Sequence, residues 1–200
     1  MNALLGSFVP AHVDARATAL MAPLLDAFDA DPVARTFYPG DEEYRAHFPG
    51  LLAASAGRAF GAGFVDSYPA GLGAALWLPP GIEPDRAVVD AHLAATVPPR
   101  RMPALAAGLG AAAALRPKRP HWTLAAIGVP GPAQGAGIGS MLLRQGLARI
   151  DADGAPACLE ATDRRSAALF ASFGFTVTGI VLVPCYPQVI TMRRPARRRG

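Results

Sequence analysis

The chain has 200 residues, 52% of them hydrophobic and 17% charged, with a formal net charge of +4; this is enough to bury one substantial core and argues against a second independent domain. Five of the 19 basic residues (Arg193, Arg194, Arg197, Arg198 and Arg199) crowd the last eight positions. The other 14 face 15 acidic residues, so the basic balance belongs to a solvated tail and argues against a nucleic-acid or membrane-surface partner.

No apolar run reaches the roughly 18 residues of a membrane span, and no basic side chain precedes Arg16 as a secretory leader would need. A cytoplasmic protein is expected. Cys158 and Cys185 have neither zinc nor redox spacing and read as free thiols, with no metal implied.

In chain order, Leu20, Leu24 and Phe28 fall four apart, a helical stripe over about 14–30, with Asp14 as its cap and Pro23 as a kink or restart. Asp31 before Pro32 is a cap followed by proline at the first helical position, opening a short turn that ends in Tyr38-Pro39-Gly40. Asp41 caps a helix to about Ala56, with Tyr44, Phe48, Leu51 and Leu52 buried and a break expected at Pro49-Gly50. His47 lies off that face and reads as a surface histidine rather than a catalyst. Residues 59–67 and 72–78 read as an antiparallel hairpin about Tyr68-Pro69-Ala70-Gly71, with Trp77 in the core and Pro79-Pro80-Gly81 ending the second strand. Asp85 caps a helix through Val97, and an alanine-rich helix follows from about Pro103 to Leu115; both read as scaffold, with a movable wall over a substrate as the alternative. The basic loop 116–120 is a solvated connector or a helper for phosphate groups.

The apolar run 122–129 has the length of a buried strand, and Ile138, Met141, Leu142, Leu147 and Ile150 recur at roughly helical spacing. Between them lies a loop almost without side chains. Glycines at 135, 137 and 139 let the backbone approach a ligand, and a helix that starts there presents free N–H groups and a positive dipole end. The ligand this suits is an anion, most naturally a pyrophosphate. Residues 155–160 then read as a short strand ending in Glu160, Thr162 or Asp163 caps a helix that Gly174 terminates, and 175–183 with 188–192 form a second hairpin about Pro184-Cys185-Tyr186-Pro187. This order gives an α/β (α+β) fold, a mixed sheet flanked by helices.

A dinucleotide-binding fold shares the order strand, glycine turn, helix, acid-ended strand, but its fingerprint needs Gly-x-Gly-x-x-Gly directly after the strand. Here five residues intervene after Val129, and Ser140 stands where the third glycine should be. A nucleotide P-loop fails for want of Gly-Lys-Ser/Thr.

The segment QGAGIG, Gln134 through Gly139, instead resembles the Gln/Arg-x-x-Gly-x-Gly/Ala pyrophosphate loop of the GNAT superfamily of N-acetyltransferases. The likeness extends over about residues 20–193. It is greatest to the bacterial branch that includes puromycin N-acetyltransferase, through ALWLPPG (75–81), PHWTLAAIGV (120–129), LEAT (159–162), Phe173-Gly174-Phe175 and Thr191-Met192-Arg193. The resemblance implies one acetyltransferase domain over 1–193 and a basic tail over 194–200. It also implies the acyl-CoA N-acyltransferase fold, with a mostly antiparallel sheet, and acetyl-CoA as co-substrate. The acceptor implied is the amine of a small molecule or peptide, and a homodimer is allowed although no sequence feature marks an interface.

The same resemblance implies that Ile127 and Val129 pair by their backbone with the pantetheine arm in a cleft between splayed strands. The N–H groups of Gln134, Gly135, Ala136, Gly137, Ile138, Gly139 and Ser140 would bind the pyrophosphate. Glu160 is the candidate catalytic base, as a buried carboxylate of raised pKa acting directly or through water; a substrate-binding or loop-capping Glu160 is the alternative, and His121 is a second candidate base. The family's usual tyrosine acid and cofactor-contacting asparagine are replaced by Phe170 and Ser166, both still placed beside the cofactor. Three outcomes stay open: a proton from water, a substitute donor (Tyr186, Cys185 or Tyr68), or a non-catalytic acyl-CoA-binding module.

Overall fold

In chain order the elements are α1 (Ala15–Phe28), α2 (Pro32–Phe37), α3 (Asp41–Ala56), α4 (Arg58–Ala62), β1 (Val65–Tyr68), β2 (Gly73–Leu78), α5 (Arg86–Thr96), α6 (Met102–Leu115), β3 (Trp122–Gly128), α7 (Ile138–Asp153), β4 (Ala157–Ala161), α8 (Arg164–Ser172), β5 (Thr176–Val181) and β6 (Val189–Arg194). The structure, a computed structural model, describes residues 15–197. Asp14, expected as a cap, and Arg198 and Arg199 of the tail lie outside the described residues.

The strands form one sheet in the order β1-β2-β3-β4-β6-β5, with β3 and β4 parallel and every other neighbour antiparallel. Helices cover both faces, so β2 is buried along its whole length. Ala74, Leu76 and Leu78 enter one core with Leu24, Phe37, Tyr44, Phe48 and Leu105, while Ala75 and Trp77 enter the other with Leu142, Leu143, Leu147 and Ile150.

Local chemistry explains three of the helix starts. Asp31 caps α2 by accepting from Val33 N at 2.9 Å and Ala34 N at 2.8 Å, Asp85 caps α5 through Ala87 N and Val88 N, and Asp163 caps α8 through Ser166 N. Three expectations are corrected. Pro49 does not break α3, because its neighbours Phe48, Leu51 and Leu52 are all held in the first core and packing carries the helix past the missing N–H. Residues 58–62 are a helix rather than the start of a strand: Gly63 at φ 75° closes it as a left-handed cap, and Phe64, whose carbonyl accepts from Trp77 N, joins the sheet just before β1. Met141 is 40% exposed, and the inward stripe of α7 runs instead through Ile138, Leu142, Leu143, Leu147 and Ile150.

Candidate active site

At the end of β3 the chain turns through a single 3-10 turn (Gly131–Ala133) and reaches Gln134, whose side chain folds back so that Nε2 donates to the Val129 carbonyl at 3.1 Å. Gln134 N donates to the Gly131 carbonyl, so this N–H, expected to face a ligand, is turned into the protein. Gly135 and Gly137 follow with φ of 84° and 79°, where a side chain is disfavoured. A Cβ built on either would meet no atom within 4 Å: the strand turns here in open space. Gly137 is the cap residue of α7 and no side chain caps the helix; the first helical bond is Met141 N to Gly137 O. Among the described residues no acceptor takes the N–H of Gly135, Ala136, Gly137, Ile138, Gly139 or Ser140. Six unpaired donors at an exposed helix start, on the positive end of its dipole, form a cradle that fits a pyrophosphate. Arg165 brings a guanidinium to the same loop, at 3.5 Å from Gln134 Oε1. Gly139 sits in the first turn of α7 with ordinary spacing to Leu169 and serves the helix rather than the turn.

Beside the loop the sheet opens. β3 pairs with β4 only from Trp122↔Ala157 to Leu124↔Leu159. On its other side the register passes from Trp77↔Leu124 to Leu76↔Ala126, so Ala125 is a bulge with no partner on either neighbour. A bulge turns the strand and ends its pairing at the same point. Beyond it Ile127 pairs with Ala75 on β2 and Glu160 with Thr191 on β6, and nothing joins the two. A wedge therefore opens between β3 and β4 and leads toward the glycine loop. Ile127 lies along it. Val129, expected to offer its backbone beside Ile127, has its carbonyl occupied by Gln134.

Glu160 stands where the wedge opens, but it is not the buried carboxylate expected. Its side chain is 32% exposed and is paired with Arg116, whose Nε and Nη2 both lie 3.0 Å from Oε1. Arg116 is the C-cap residue of α6, so the basic loop contributes its first side chain to the site rather than a phosphate grip. Tyr186 joins from the β5–β6 connection. Its ring lies flat over Gly108 of α6, where any Cβ would come within 2.3 Å of it, which is why that helix position has no side chain. Burial, with the Glu160 and Asp31 carboxylates adding to it, pushes the Tyr186 phenol up to about 12. Thr162, just past β4, donates its hydroxyl to Asp31 Oδ2, tying the start of α2 to the same corner.

The remaining candidates fall elsewhere. Phe170 is 4% exposed and packs edge-on against Phe175, in the core cluster that Ile127 and Val129 also pack against; without a hydroxyl its ring has no reason to face water. The Ser166 hydroxyl donates to Asp163 Oδ2 at 2.5 Å and completes the α8 cap, so it is engaged before any cofactor contact. His121 Nδ1 donates to the Arg119 carbonyl at the paired end of β3, away from the opening. His47 is on α3 against the Tyr38 ring. Tyr68 ends β1, two strands from the wedge. Cys185 is exposed beside Tyr186, and Cys158 is buried with Thr123, burial pushing its thiol up. Ala125 was not anticipated as a site residue, and Arg116 only as part of a loop that could help hold phosphate groups; no local signal marks its pairing with Glu160.

No protein-family model matches the chain. Among solved structures, the Corynebacterium glutamicum protein named histone acetyltransferase HPA2 and related acetyltransferase superposes with a TM-score of 0.61 at 25% identity, covering 92% of each chain. An agmatine N-acetyltransferase, as the S171A mutant in its apo form, gives 0.62 at 16% identity, over 88% of this chain and 92% of that one. The Drosophila melanogaster polyamine N-acetyltransferase gives 0.61 at 18%, over 88% and 93%. The chain has the GNAT acetyltransferase fold that these neighbours share.

Proposed function

We propose that this chain is an N-acetyltransferase that moves an acetyl group from acetyl-CoA to an amine. The observation that carries the reading is the row of six acceptor-less N–H groups from Gly135 to Ser140 beside the open β3–β4 wedge. Acetyl-CoA supplies an activated thioester when bound. The loop holds its pyrophosphate, Arg165 adds a cation, and the backbone along Ile127 accompanies its arm. The β3 backbone past its last pairing with β4 lies along the opening, where backbone donors can meet the negative charge that develops on the carbonyl oxygen.

On the acceptor side Glu160 takes the proton of the incoming amine through its free Oε2, directly or by way of water. Arg116 holds that carboxylate in place. The departing thiolate, of ordinary pKa about 8.5, takes its proton from water or from Tyr186, whose buried phenol is fully protonated at neutral pH. Tyr186 is the only one of the three substitute donors placed beside Glu160. Likeness to the puromycin N-acetyltransferase branch rests on the sequence segments alone. A small amine acceptor accords with what the agmatine and polyamine enzymes are named for.

A non-catalytic acyl-CoA-binding module is the second reading, favoured by the buried Phe170 and the paired Glu160. One pair of measurements decides. Acetyl-CoA raises the melting temperature and NADH does not; thiol release from acetyl-CoA then depends on added amine and falls at least tenfold in Glu160→Gln. A shift without release for any amine establishes the binding module, and a shift with NADH alone removes both readings.

A further inference from the structure

The charge pair at the mouth of the wedge also restricts what the acceptor is. Both Arg116 donors converge on one oxygen of Glu160, so Glu160 Oε2 and Arg116 Nη1 have no other partner among the described residues. The two groups are 32% and 48% exposed, within reach of an entering molecule. One free anionic acceptor thus lies beside one free cationic donor. The third charge in the corner is spent: Asp31 accepts from Val33 N and Ala34 N on Oδ1 and from the Thr162 hydroxyl on Oδ2, at the favourable end of the α2 dipole.

An acceptor with only a cationic amine meets this pair poorly. To reach Glu160 it must sit against the Arg116 guanidinium, gaining one charge contact while suffering a like-charge one. A molecule with an amine and a carboxylate on adjacent positions meets it well, placing the amine on Oε2 and the carboxylate on the free Nη1 of the guanidinium in a charge-assisted hydrogen bond. We infer that the acceptor is a zwitterionic α-amino acid, with Glu160 receiving its amine and Arg116 its carboxylate. The inference rests on the transferase reading above. The transfer is balanced: the ammonium gives one proton to Glu160, the N–C bond to the acetyl carbon forms as the C–S bond breaks, and the second proton that leaves nitrogen passes to solvent while the thiolate takes one up from water or Tyr186.

The test measures thiol release with matched pairs, tyrosine against tyramine, phenylalanine against phenethylamine and arginine against agmatine, on the wild-type chain, Arg116→Ala and Arg116→Lys. The expected result is a wild-type kcat/KM about tenfold to a hundredfold higher for each amino acid, the range of a charge-assisted hydrogen bond. In Arg116→Ala the amino acid loses that advantage while the decarboxylated amine improves, because Glu160 is released; Arg116→Lys restores part of the preference. Intrinsic amine basicity cancels, since each form of the protein meets the same pair. Preference for the decarboxylated amines, or an equal effect of Arg116→Ala on both members of a pair, overturns the inference and leaves the transferase reading standing. No release with any compound, under conditions where acetyl-CoA still raises the melting temperature, overturns both.

Discussion

Gly137 and Gly154 bracket α7 in nearly the same left-handed conformation, φ 79° and 62°, and a Cβ on either would point into open space. What surrounds them differs. At the start of the helix six consecutive N–H groups have no acceptor among the described residues. At its end Gly154 N and Ala155 N fold back onto the Asp151 and Ile150 carbonyls, closing the terminus on itself. One end is finished by the protein and the other is left for a ligand, and the finished end anchors the open one.

The anchor is an ion pair. Arg194, expected in the solvated basic tail, is instead 3% exposed at the end of β6 and donates to both Asp151 carboxylate oxygens, at 2.9 Å for Nη2. Asp151→Asn leaves that guanidinium buried without its counter-charge, which costs about 3–5 kcal/mol. It is the largest effect expected, read as a fall in the denaturant midpoint at unchanged slope. Arg194 holds the Asp151 carboxyl below the usual carboxylate range, first through its hydrogen bonds and then through its charge. A depressed folded value means the pair contributes fully above the unfolded carboxylate pKa near 4, and its contribution is lost as pH falls through the lower folded value. Asp151→Asn therefore narrows its gap to the wild type only in acid. A gap independent of pH down to about 2 would show that the charge is not what anchors this end.

The open end is tested by Gly137→Ala. The left-handed conformation costs an L side chain roughly 1–2 kcal/mol, and the added methyl meets nothing in the protein itself. Stability falls modestly, whereas the acetyl-CoA-induced rise in melting temperature is lost, with affinity down more than tenfold, because the methyl occupies space the phosphate would use. Retained affinity would place the anion elsewhere.

Sequence reading reaches these two ends unequally, and the reason is range. Glycines two apart after a strand, and a glycine after the last apolar position of a helix, are local patterns, so the loop and the element order could be read directly. The bulge at Ala125 needs β2 and β4 both in register with β3, and no residue in the run 122–129 marks it. Arg116 and Glu160 are 44 positions apart, and Arg194 and Asp151 are 43. Only the folded sheet joins them. The same holds for Phe170 and Ser166: resemblance assigned them to the cofactor, but Phe170 is drawn in by Phe175 and Ser166 by the carboxylate three residues before it. The first half of the strand predicted over 59–67 failed for the opposite reason, since Gly57 and Gly63 bound a turn of helix too short to show any period, and only its second half forms β1.

The smallest effect is the one that makes the comparison exact in kind. Gly154→Ala imposes the same left-handed strain as Gly137→Ala, again with nothing within 4 Å of the new methyl. Its stability cost is therefore also about 1–2 kcal/mol, or a few degrees of melting temperature for a domain of this size. Gly154→Asn, which tolerates the left-handed region, recovers most of it. Neither substitution touches the acetyl-CoA response, because the closed terminus offers no donor to lose. Equal destabilisation with ligand binding lost only at position 137 separates strain from recognition. If Gly154→Ala also abolished the response, the loop would be sensing the stability of α7 as a whole, and the open N–H groups would no longer account for binding on their own.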